Sequence, residues 1–271
     1  MKIVWIIVGV MAVLVSIVWL GLQIKPAPFE PYAERMPALE AVPLPEDLPA
    51  PVERFYRTVY GDEIPVIETV VIKGRANVSP FGVMFPARFI FVHNAGQDYR
   101  HYIEATFFGF PLMKVNESYV DGRSYFELPV GTFEDNPHNR QGAVLGLWAE
   151  ATWFPSIWVT DERVRWESVD DKTALLYVPF EDGEENFVVR FDPETGLLDM
   201  MEAMRYRDAD PEADKILWIT KTLPGENIAD TNLRATGSAT WLDQGKPWAI
   251  FTAEDVVYNV YVDEYILQKG P

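Results

Sequence analysis

The chain contains no cysteine. That absence excludes disulfides, thiolate nucleophiles, iron–sulfur clusters, cysteine-based zinc sites and a lipid-modified cysteine. Histidine is almost as scarce, with three residues in 271. Basic charge is also short: 23 Lys and Arg stand against 41 Asp and Glu, giving a net charge of −18 and a pI near 4.5. A surface of that sign repels phosphate backbones, so nucleic acid is not an expected partner. The sequence lacks a Gly-x-Ser-x-Gly elbow, a His-Glu-x-x-His helix, a Walker loop and a dinucleotide fingerprint, which speaks against the commonest enzyme classes.

Apolar and aromatic side chains are plentiful, at 48% and 14% of the chain, enough for one large core. A run of twenty residues near the start, IVWIIVGVMAVLVSIVWLGL from Ile3 to Leu22, has one Ser and no charge. That is the length a helix needs to cross about 30 Å of hydrocarbon. A cleaved signal would have a shorter apolar run and a small-x-small exit, whereas this run leaves through WLGLQIKPAP. An uncleaved anchor over residues 1–24 is therefore preferred to a cleaved signal or a buried core helix. Lys2 and Lys25 bracket the span, so positive charge gives little contrast. The short leading tail favours an N-terminus inside and the rest of the chain outside the cytoplasmic membrane.

Eight of the 21 prolines fall between Ile24 and Pro51, which forbids helix and ladder pairing and favours extended polyproline II. Residues 25–47 are expected as a linker, either standing off the membrane as a stalk or lying along the following domain through Phe29, Tyr32, Met36 and Leu39. In the domain, residues 48–271, Leu48, Val52, Phe55, Tyr56 and Val59 recur at helical spacing and Gly61 stands ready to end the helix. A second helix is expected from Arg140 to Thr152, with a stripe of Val144, Leu147, Trp148 and Ala151. The remainder alternates short β-type runs with turns such as VDGR, EDGE and DPETG, down to a last run DVVYNVYVDEYIL, the pattern of an antiparallel meander. In NFVVRF, Phe187, Val189 and Phe191 share one face, whereas MFPARFIFV and YIEATFFGF are apolar on both. The expected fold is mainly β, α+β: a strongly curved antiparallel sheet, a half-barrel wrapping one or two helices.

Six stretches, LPAPVERFYR (48–57), SYVDGRSYF (118–126), AEATWFPS (149–156), VRWESVDDKTA (164–174), MRYRD (204–208) and GSATW (237–241), resemble an uncharacterised family of prokaryotic membrane-anchored proteins with a domain of unknown function. That resemblance implies no activity. In outline the domain is similar to the half-barrels of periplasmic lipoprotein carriers, which implies an apolar cavity between sheet and helix. The segment Leu147–Asp171, which holds four of the nine tryptophans, would then close one side of it, with the Trp166 indole donating to Glu150 or Asp170. Phe108, Phe110, Tyr119, Trp153, Phe154, Trp166 and Trp241 are the candidate ligand-binding residues, against the plainer alternative that the tryptophans are simply core.

No catalytic residue, metal or cofactor is expected. His93 and His101 flank the loop NAGQDYR but have no third ligand near in sequence, and His138 lies in a polar loop. The run DADPEAD lacks the glycine and the distal Glu of a calcium loop and is expected as a solvated turn. Three functions are compatible with these residues: a non-catalytic membrane-anchored binder of a lipid or other apolar molecule, which is preferred; an envelope glycan- or lipid-modifying hydrolase using carboxylates such as Glu104, Asp121 or Glu150; and a scaffold docking a partner protein.

Overall fold

A computed structural model describes residues 1–229 and 231–268; the last three residues expected in the domain, 269–271, lie outside them. Helix α1 (Lys2–Gln23) is apolar all round, and every side chain from Lys2 to Leu20 is exposed. It is long and apolar enough to cross a membrane. Its last turn meets the body of the protein, where the Phe108 N–H donates to the Gly21 carbonyl at 2.9 Å. A Cβ on Gly21 would fall 2.4 Å from the Phe107 ring, so a larger residue there would have to push the Phe107 and Phe108 rings aside.

The proline-rich arm that follows lies along the domain. Lys73 Nζ donates to the Glu30 carbonyl at 2.6 Å, Arg88 donates to that of Ala27, and the Tyr32 hydroxyl donates to that of Tyr261. Strand β1 (Ala41–Pro43) pairs with β2 (Glu63–Pro65), and between them α2 (Ala50–Val59) buries Val52, Phe55, Tyr56 and Val59, the stripe read from the sequence.

Thirteen antiparallel strands form one sheet. Its first half is a meander of β3 (Thr69–Val78), β4 (Phe85–Asn94), β5 (Asp98–Phe107), β6 (Phe110–Val120), β7 (Arg123–Leu128) and β8 (Gly131–Phe133). The chain then crosses the inner face as α3 (Pro137–Glu150), a 3-10 turn (Ala151–Trp153) and α4 (Ile157–Thr160). It returns through β9 (Arg165–Asp170), β10 (Thr173–Phe180), β11 (Gly183–Phe191), β12 (Leu198–Arg205), β13 (Ile216–Thr222), β14 (Thr236–Trp241) and β15 (Pro247–Tyr258), the last inserting between β3 and β14. The mainly β half-barrel around helices is thus the fold of the chain.

Several places differ from the sequence expectation. Ala41–Pro43, in the arm expected to stay unpaired, form a short ladder with Glu63–Pro65. Asn136 accepts the Asn139 N–H and starts α3 three residues early, at Pro137. The last run is not one strand: β15 stops at Tyr258, Asn259 turns with φ +55°, and Asp263–Leu267 form α5. The Asn259 side chain holds that turn by accepting the Glu68 N–H and donating to the Val66 carbonyl.

Burial follows from the two faces. Phe187, Val189 and Phe191 point into the main core, as do Phe89 and Phe91. Ile90 and Val92 point outward yet are buried, because α5, Val260 and the arm residues Phe29 and Tyr32 cover that patch. This covering explains why β4 is apolar at both parities.

One end of the sheet is apolar at its tips. Around the 79–84 loop and the turns after β5 and β7, Phe81, Val83, Met84, Phe108, Phe110, Leu112 and Val130 are exposed, and α1 joins the body at this rim. At the same end of the β9–β13 half, the turns 181–184 and 206–215 are acidic.

Candidate functional site

Between the inner face of the sheet and α3 lies a cavity of about 480 Å³. Period-two alternation aims its walls: Tyr99, His101 and Ile103 of β5, Val115 and Glu117 of β6, Trp218 of β13 and Trp241 of β14 all face inward. The 3-10 turn after α3 adds Trp153, whose indole donates to the Ala235 carbonyl at 3.2 Å. Phe81, Pro129 and Val130 line it at the apolar rim.

Polar groups enter this apolar wall at two places. On one side Arg205 stacks its guanidinium 4.3 Å above Trp218. Gly142 and Gly146 of α3 face it, the nearest guanidinium atoms lying 3.5 and 3.8 Å from where their Cβ atoms would be. Its Nε is buried without a hydrogen-bond partner, and no acid among the described residues reaches ion-pair distance.

On the other side, near the end of β4 remote from the rim, His93, His101 and Glu150 converge. His93 Nε2 lies 3.1 Å from Glu150 Oε2, and His101 Nε2 lies 2.7 Å from the same oxygen. The Glu117 carboxylate stands 3.8 Å from His101 Nδ1. Burial pushes the His93 imidazole below its ordinary range. His101 is also penalised by burial, but the Glu150 and Glu117 carboxylates outweigh it and hold that imidazole above the usual value. Burial would raise Glu150, yet the two imidazoles overcome it and hold the carboxyl down to about 2. Glu150 is therefore a standing anion at neutral pH, unsuited to donating a proton as a glycosidase acid would.

The candidate residues read from the sequence are placed as follows. Trp153 and Trp241 line the cavity together. Phe154 is fully buried beneath it, 5.1 Å from the His93 ring. Trp166 packs against Trp158 and Phe191, and its indole donates to the Trp158 carbonyl rather than to Glu150 or Asp170. Tyr119 sits on β6 opposite Tyr99. Phe108 and Phe110 stand on the rim at the foot of α1, outside the cavity wall. Among the carboxylates, Glu104 pairs with Arg88 at 2.7 Å and Asp121 lies in the turn after β6, both away from the cavity.

As strand-end residues without a third ligand in sequence, His93 and His101 are expected to be solvated or hydrogen-bonded; both are instead buried, at 0% and 3% exposure, because Tyr99, Phe91 and Phe154 enclose them. The third ligand missing from their neighbourhood in sequence arrives from α3. His138 is stacked on Tyr206 at 3.7 Å rather than free in water. Sequence reasoning passed over Glu117, Arg205 and Trp218; the inward parity of Glu117, directly opposite His101 in the ladder, was the signal available.

A protein family of unknown function, DUF6544, matches residues 38–253. No curated protein matches the chain. Among solved structures, a LolA superfamily protein from Nitrosomonas europaea is similar over 80% of this chain and 96% of its own, at 9% identity and a TM-score of 0.48. A DUF1329 family protein from Desulfovibrio piger is similar over 75% of this chain and 90% of its own, at 12% identity and a TM-score of 0.42.

Proposed function

The chain belongs to the DUF6544 family of unknown function, and from that premise we propose that it is a membrane-anchored, non-catalytic binder of a lipid or similar apolar molecule, working outside the cytoplasmic membrane. The observation that carries this reading is the cavity of about 480 Å³ walled by Trp153, Trp218, Trp241 and Phe251. Such a volume is within the range of small-molecule sites. Side chains this large would normally close on one another, since a void forfeits dispersion contacts on every wall. An acyl chain restores them. Arg205, buried at Nε without a partner, favours a ligand whose head is acidic.

The rim supports the same reading. Phe81, Phe108, Phe110 and Val130 are exposed at the end where the anchor helix joins the body. Phe81 and Val130 also line the cavity, which supports entry of an acyl chain from a bilayer at this end.

The test is made in cells with the full chain. A photo-crosslinking amino acid replacing Thr220, which lines the cavity, is expected to yield a lipid adduct identified by mass, while the same group replacing Val169, exposed on β9, yields none. Absence of a lipid adduct at Thr220, or equal adducts at both positions, would overturn the proposal.

A further inference from the structure

We propose that His93, His101 and Glu150 hold one divalent first-row transition-metal ion at the end of the cavity remote from the apolar rim. The three side chains come from β4, β5 and the last residue of α3, and their ligand atoms lie within 4.8 Å of one another. The contacts of 3.1 and 2.7 Å about Glu150 Oε2 would suggest hydrogen bonds, but their directions are wrong. His93 Nε2, His101 Nε2 and Glu150 Oε2 are all buried without a hydrogen-bond partner. Three unpartnered donor atoms within 4.8 Å of one another leave room for one ion that meets them all. A metal there, with bonds of about 2.0–2.2 Å, sets neighbouring ligand atoms roughly 3 Å apart, and it satisfies three orphaned atoms at once.

Three further features are those of a built site. The His101 ring is clamped between Tyr99 and Phe91, each 4.0 Å away, and His93 packs 5.1 Å from Phe154, so neither imidazole has a rotamer to lose on binding. Glu117 stands beside His101 Nδ1, where an outer carboxylate orients a ligating imidazole. Glu150 ends α3, the negative pole of the helix, where an acid is disfavoured unless a cation meets it. His101 and Glu150 also line the cavity, which leaves the remaining coordination positions open to water or to a donor on the ligand. Two imidazoles and one carboxylate, with no sulfur, select zinc, iron(II), cobalt or nickel over calcium, magnesium or copper(I).

The inference stands apart from the lipid reading. Its test uses the untagged full chain in mild-detergent micelles, stripped with a chelator and titrated with Co²⁺. Visible d–d absorption saturating at one ion per chain, and abolished by Zn²⁺, is the expected result. Glu150→Gln and His101→Ala should each weaken binding by about 100-fold or more, and Glu117→Gln by about 10-fold to 100-fold. Should these variants fold poorly, X-ray absorption of the cobalt-loaded wild type decides, with two imidazoles expected in the first coordination sphere. A wild-type chain that takes up neither Co²⁺ nor Zn²⁺, a folded Glu150→Gln chain that binds as wild type, or a spectrum without imidazole would overturn the site. Lipid adducts at Thr220 without metal uptake would remove the metal and leave the lipid reading standing.

Discussion

Asp161 and Arg163 fasten the end of α4 to the β4–β5 turn. Asp161 Oδ1 accepts both the backbone N–H and the Nε–H of Arg163 at 2.9 Å, while the guanidinium also donates to the Gly96 carbonyl. Burial alone would raise the Asp161 carboxyl, but Arg163 outweighs it and holds the group below the usual carboxylate range. A carboxyl depressed in the fold contributes stability that is present above its unfolded value of about 3.9 and lost as pH falls through the folded value. The guanidinium is half exposed, so solvent reduces the worth of the pair and Asp161→Asn should cost about 1 kcal/mol at neutral pH. Urea melts of both chains at neutral and acid pH check this: the difference should vanish below the folded pKa, and a constant difference would show that packing rather than charge is at stake. The tryptophans teach a similar lesson about local partners. Trp158 donates to the Trp148 carbonyl and Trp166 to that of Trp158, so these two indoles are satisfied by the backbone freed where α3 ends and α4 turns, not by the acids nearest them in sequence. Side-chain type told that partners were needed; only the path of the chain told which.

At the scale of the element, α3 is the piece on which the site depends. Its inner stripe was legible because Val144, Leu147 and Trp148 recur at helical spacing, but the helix is buried on nearly all sides, from Gln141 to Ala149. Periodicity therefore identifies the helix without revealing which face meets the cavity. The histidines were hidden for a related reason. His93 and His101 lie diagonally across the β4–β5 ladder, a relation the hairpin makes visible, whereas Glu150 reaches them only through the long return of α3 across the sheet. Gly146 offers a test of how tightly α3 sits on Arg205. Its added Cβ would stand 3.8 Å from the guanidinium, an ordinary contact, while an interior glycine weakens a helix by about 1 kcal/mol relative to alanine. Gly146→Ala should therefore raise the melting temperature of the full chain by about 2–4 °C. A lower melting temperature would show that Arg205 already fills the space above the helix.

At the scale of the whole molecule, the curved sheet could be expected from the mixture of one-sided and two-sided strands, but its closure could not. Strand β15 completes the sheet by pairing Tyr258 with Val70 and Ala249 with Val78, a contact between the two ends of the domain that local patterns do not encode. The β3–β8 meander by itself sets the 79–84 loop, the β5–β6 turn and the β7–β8 turn at one end, where Phe108 meets the last turn of α1. The exposed Phe81, Phe108 and Val130 are scattered in sequence and become a patch only there. Acidic turns at the same end of the β9–β13 half resist immersion, so the domain should tilt its β3–β8 half toward a bilayer. The lack of cysteine makes this measurable. Phe81→Cys and Val169→Cys, each labelled with an environment-sensitive dye in the full chain reconstituted into zwitterionic vesicles, compare the rim with exposed strand β9. The dye at position 81 should emit to the blue and be quenched by nitroxide lipid, while the dye at 169 should behave as in water. Replacing Phe108 and Phe110 with aspartate in the Phe81→Cys chain should shift its emission toward that of water, because two desolvated charges at the interface outweigh what one aromatic ring gains there. Identical emission at positions 81 and 169 would mean that this end of the cavity faces water and that any lipid the cavity receives must be delivered by something other than the bilayer beside it.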